Sequence, residues 1–192
     1  MKKSIVKNDV LPFLGLFAVL ILATMAGDFA LHQLKLVWVG RYLGIPGTIL
    51  ILLSLLYSLR KRKVISFGNP KTLLGWHEVM TWLGAWMVMI HAGVHFNAIL
   101  PWLATGGMIV NVVSGLTGRY LLERSRRRLA VFEEKYRLHG MSKSEVEKEL
   151  FWEAVTFETM GNWRAIHFPI SIVFAVLALG HILSVFLFWE WK

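Results

Sequence analysis

The chain has 192 residues, 56% of them hydrophobic, a mean hydropathy of +0.55 and a formal net charge of +9. That balance belongs to a multi-span membrane protein, and in such a chain an excess of Lys and Arg reports topology, with no call for nucleic acid as a partner. There is no cysteine, which excludes iron–sulfur clusters held by thiolates, covalently attached haem, disulfides and thiol catalysis.

A short basic N-terminus leads into an apolar run over residues 10–31. It reads as a retained first span, because it outlasts the core of a usual signal peptide and Thr24/Ala26 would make a poor cleavage site. A polar turn holding His32, Gln33 and Lys35 separates it from a second span over 42–59, which stops at Arg60, Lys61, Arg62 and Lys63. The third span is 73–100, ended by Pro101, the fourth is 102–122, ended by the run from Glu123 to Arg128, and the fifth is 166–189. Each is long enough to cross about 30 Å of hydrocarbon at about 1.5 Å per residue. The expected fold is all-α, one bundle of about five transmembrane helices covering the chain, with a cytoplasmic helical insertion over 124–163. Within that insertion Gly140 reads as a helix stop, and Ser142 to Glu145 as a capping box that opens a second helix.

The N-terminus, the 60–72 loop and the 119–164 segment hold 18 of the 21 Lys and Arg residues, leaving Lys35, Arg41 and Lys192 for the opposite side. The basic side is cytoplasmic by the positive-inside rule, so the N-terminus lies in and the C-terminus out. The expected location is a bacterial or archaeal cytoplasmic membrane, with the lipid bilayer as first partner.

Histidine is uncommon in lipid, yet the third span carries His77, His91 and His95 and the fifth carries His167 and His181. His77 and His91 are 14 residues apart, as are His167 and His181. At about 100° per residue, such a step leaves two side chains about 40° apart on one face and about 21 Å apart along the axis. Two such helices can face each other as two imidazole pairs at two levels, His77 with His167 inside and His91 with His181 outside. This is the geometry for two b-type haems, each iron held axially by one imidazole from each helix. Zinc is the competing metal, but its ligands converge on one point.

A macrocycle needs room, and Gly84, midway between His77 and His91, is read as supplying it. Ala104, Gly107, Asn111, Ser114, Gly115 and Gly118 form a small-residue stripe on the fourth span, which close helix packing would equally explain. Phe174, midway between His167 and His181, either separates two haems or fills core. His95 is a rival outer ligand; otherwise it bonds a propionate or a quinone. Lys71, Arg119 and Arg164 are placed to meet inner propionates and Arg41 outer ones, although interfacial anchoring accounts for each as well. Glu78, Asp28 and His95 are candidate proton groups.

The two histidine pairs resemble those of di-haem b-type membrane cytochromes, particularly the transmembrane domains of the ferric-reductase-like group and the cytochrome b subunits of hydrogenases and formate dehydrogenases. The resemblance covers roughly residues 73–189. It implies a bundle around two stacked b haems that relays electrons across the membrane, between a quinone pool and redox subunits on the cytoplasmic or outer side. The five spans, the cytoplasmic insertion and the lack of a flavin or nicotinamide domain in these 192 residues depart from the best-known members. Two other readings stay open: a reductase of ferric iron or another acceptor at the outer surface, and a non-haem transporter or assembly factor whose histidines handle metal ions or protons.

Overall fold

The computed structural model describes residues 11–94, 98–117 and 163–188, with scattered positions between 130 and 151. The elements are α1 (Leu11–Gln33), α2 (Val37–Tyr42), α3 (Gly44–Lys61), α4 (Pro70–Val94), α5 (Ile99–Thr117) and α6 (Trp163–Phe188), with no strand among the described residues. Among the described residues, four stretches are long and apolar enough to cross a membrane: Leu14–Gln33, Val37–Lys61, Ile99–Leu116 and Ala165–Phe188. The 25 residues of α4 are sufficient in length. Its composition sets it apart, because His77, Glu78, His91 and its tryptophans dilute the apolar side chains.

The helix ends differ from the sequence expectation for local reasons. His32 and Gln33 belong to α1, not to a turn. That helix closes where Lys35 adopts φ 57°, with the Leu36 amide donating to the Leu31 carbonyl and the Lys35 amide to the His32 carbonyl. The same closure ends α3, with Lys63 at φ 60° and the Val64 amide bonded back to Leu59. Both are Schellman motifs with lysine where glycine is usual. The second span begins at Val37, not residue 42, and is interrupted at Leu43; Pro46, lacking an amide, cannot bond the Tyr42 carbonyl there. α4 starts at Pro70, before the expected 73, because Asn69 caps it through Oδ1 to the Lys71 amide at 2.9 Å and proline suits the first helical position. At its other end α4 is described as far as Val94, and Ile99 and Leu100 open α5, whose first turn absorbs Pro101 without losing a needed donor. Residues 118–122 of the expected fourth span and most of the 124–163 insertion lie outside the described residues.

The chain divides into two compact units, Met1–Phe17 with Val113–Ser171 and Ala18–Val112 with Ile172–Lys192. The second unit has a core of Leu20, Ala85, Met89 and Met108, against which Ile51, Trp82, Trp86 and Phe174 pack. Lipid tails are as apolar as these side chains, so close packing, more than escape from the solvent, holds such helices together. The outward faces are correspondingly apolar: Phe29, Val176 and Leu187 are largely exposed. Four hydroxyls inside the helices bond their own backbone, Thr24 to Leu20, Thr81 to His77, Ser171 to His167 and Ser184 to His181, which satisfies them in an apolar setting.

Candidate functional site

The site is built on an antiparallel pair. α4 carries His77, Gly84 and His91 at intervals of seven residues, which keeps them on one face. Facing them, α3 and the end of α2 present Ser54, Gly47 and Arg41. At the centre Gly84 meets Gly47: a Cβ on Gly84 would lie 2.8 Å from the Gly47 carbonyl oxygen, and one on Gly47 would lie 3.0 Å from that of Gly84. On either side of this crossing a histidine of α4 bonds the facing backbone. His77 Nδ1 donates to the Ser54 carbonyl at 3.0 Å, and His91 Nδ1 donates to the Arg41 carbonyl at 2.7 Å.

The His91 contact depends on the break between α2 and α3. Gly44 lies against the imidazole so closely that a Cβ there would be 2.9 Å from Cδ2 and 3.0 Å from Cγ. The ring of His181 on α6 stands 6.2 Å from that of His91, centre to centre, with the planes inclined by 49°. His167, also on α6 but in the other unit, has Nδ1 3.0 Å from Ser114 Oγ, and a Cβ on Gly115 would sit 3.9 Å from its Cε1.

A carbonyl oxygen only accepts, so the proton of neutral His77 and His91 resides on Nδ1 and the lone pair on Nε2. This is how ligating histidines are usually held, with one nitrogen fixed by the protein and the other left for a metal. The ring spacing also fits. A metal–imidazole bond is about 2.0–2.1 Å and the ring centre lies about 1.1 Å behind the nitrogen, so two imidazoles on opposite sides of one ion have centres roughly 6.3 Å apart. The His91–His181 distance of 6.2 Å is thus close to that spacing. Among the described residues no three His, Asp or Glu side chains converge, as a zinc site would require.

No family model, curated protein or solved structure matches this chain. Function therefore rests on the geometry.

The structure thus brings His91 and His181 together, and anchors His77 and His167 within their separate units. Gly84 corrects the sequence reading: its open side is filled by α3, with Ile51 Cγ1 and the Gly47 carbonyl both 2.8 Å from where a Cβ would stand, so it sets a helix crossing and leaves no room for a macrocycle. Phe174 likewise joins the core, against Gly107 of α5. Arg41 adjoins the outer site through its backbone carbonyl. Lys71 lies exposed in the first turn of α4. Arg164 falls in the first turn of α6, but its side chain, like His95 and Arg119, lies outside the described residues. Asp28 on α1 is 3.7 Å from the Cβ position of Gly93, with its Oδ1 buried and lacking a hydrogen-bond partner.

Sequence reasoning did not assign partners to the histidine rings: the carbonyls of Ser54 and Arg41, the Ser114 hydroxyl, and the space at Gly44. One signal was available. Gly47 and Ser54 repeat the seven-residue interval of His77, Gly84 and His91 on the preceding helix, the pattern of an antiparallel pair in register.

Proposed function

We propose that this chain is a membrane-bound di-haem cytochrome b that relays electrons across the bilayer, with His91 and His181 holding the outer haem and His77 and His167 the inner one. The observation that carries this reading is the His91–His181 pair, with ring centres 6.2 Å apart and His91 Nδ1 already engaged by a carbonyl. It favours His91 over His95 as the outer ligand. A bis-imidazole haem carries single electrons and has no open iron position for oxygen. The chain's own residues supply the rest: the carbonyls of Ser54 and Arg41 fix two ring tautomers, and apolar helices keep water away. A quinone is the proposed lipid-soluble partner, with redox subunits at the two surfaces. Asp28, whose Oδ1 is buried without a hydrogen bond but lies 3.6 Å from His32 Nδ1, is the proposed proton-exchanging group of the outer side.

The test is a reduced-minus-oxidised absorption spectrum, with haem counted per chain, on detergent-purified protein. Two b-type haems are expected, His91→Ala and His181→Ala each losing one, and the double variant losing no more than either alone. A folded, colourless preparation would remove the reading, and equal loss of both haems in each single variant would remove the pairing.

A further inference from the structure

On the side of the Gly47–Gly84 crossing that leads to the 62–69 turn, α3 and α4 leave a groove of about 240 Å³. Leu53, Leu56, Tyr57, Leu73, Trp76 and Met80 line it, together with His77 and Ser54. The groove faces outward from the pair, since Trp76 is 56% and Leu53 44% exposed. Among the described residues its walls come from α3 and α4, on the side to which His77 turns Nδ1.

One cation stands at its rim, and others neighbour it in the sequence. Lys61, one turn beyond Tyr57, holds Nζ 5.5 Å from the centre of that ring, about 6 Å farther along the helix axis. Arg60 is drawn across the turn by its Nε bond to the Gly68 carbonyl at 3.1 Å, and Lys63 follows in the left-handed conformation. An apolar slot beside a cationic edge matches a phospholipid, with hydrocarbon in the slot and phosphate at the edge. A choline headgroup brings its own cation to that edge, whereas an anionic one does not.

We propose that this groove binds one anionic phospholipid, with an acyl chain between α3 and α4 and the phosphodiester at Lys61. The site is independent of the haem reading. It is tested by native mass spectrometry of the full chain in mild detergent, titrated with phosphatidylglycerol or with phosphatidylcholine of the same chains. One phosphatidylglycerol is expected to be retained per chain with about five-fold preference, and Lys61→Gln to bring the two lipids near parity. Leu56→Trp, which fills the slot, is expected to lower retention of both, and glycerol phosphate to displace neither. Equal binding of the two lipids by the wild type overturns the proposal. So does an unchanged preference in Lys61→Gln of native helix content, or displacement by glycerol phosphate, which would mark a site for free anions.

Discussion

Gly44 presents a hydrogen where any other residue would press on the imidazole of His91. Gly44→Ala sets a methyl 2.9–3.1 Å from three ring atoms, an overpacking that typically costs about 1–3 kcal/mol. The ring relieves it by moving off the Arg41 carbonyl, and a weaker bond at Nδ1 makes Nε2 a poorer donor. Thermal unfolding is therefore expected at lower temperature. In haem-loaded protein the outer potential should rise while the inner one holds, which a redox titration followed optically resolves. A second residue titrates outside the membrane. The Glu145 carboxylate accepts from the Ser142 amide at 2.9 Å and its hydroxyl at 2.8 Å, while Ser142 Oγ receives the Glu145 amide at 3.4 Å. This is the reciprocal capping box expected from sequence. These bonds, led by that from the backbone amide, hold the Glu145 carboxyl below the ordinary glutamate range. The cap is then at full strength above the unfolded value and is lost as pH falls through the lower folded one. An NMR titration should find the Glu145 midpoint below that of Glu in a free peptide, with amide protection at Glu145 falling at acid pH. A midpoint at the free-peptide value would mean that the box does not form in solution.

At the scale of the element, the α3–α4 crossing is set by two glycines. Gly84→Ala drives a methyl to 2.8 Å from a backbone oxygen, which cannot move aside as a flexible side chain can. The expected loss is about 1–3 kcal/mol. Gly75→Ala on the same helix and Gly106→Ala on α5 meet nothing within 4 Å, and helix propensity makes them neutral or stabilising by up to about 1 kcal/mol. Unfolding of the three variants in a denaturing detergent series checks the contrast, and equal effects would show that propensity, not the crossing, governs this position. The same crossing shows what the sequence could disclose. The 14-residue histidine interval is a one-dimensional pattern, and the His91–His181 approach was legible from it. The roles of Gly84 and Gly44 were not, because a glycine reads alike whether it faces a cofactor, a helix or a ring. Nor were Ser54 and Arg41, since any residue can offer a carbonyl and only the packed register selects which. Helix existence followed from apolar runs, whereas helix ends were decided by single caps, Asn69 before Pro70 and the left-handed Lys35 and Lys63.

For the whole molecule, the number of crossings decides whether histidines can stand at two depths. α4 is less apolar than its neighbours, yet it runs opposite α3 along that helix, from His77 beside Ser54, through Gly84 on Gly47, to His91 on Gly44. α3 lies within a stretch, Val37–Lys61, that is apolar and long enough to cross. A partner matched to it from end to end is expected to cross with it, the cost of α4's histidines being offset by the carbonyls that receive their Nδ1 protons. A five-crossing arrangement with the N-terminus in would put the 62–69 turn inside and residue 98 outside. The chain has no cysteine, so single-cysteine variants can be labelled without background using a membrane-impermeant maleimide. In right-side-out vesicles Lys35→Cys and Ala98→Cys are expected to react directly, and Ser66→Cys and Gly140→Cys only after permeabilisation. Ser66 and Ala98 flank α4 and decide the point. Reaction of both from one side would leave α4 uncrossed, bring His77 and His91 to the same side, and end the case for two haems at two levels.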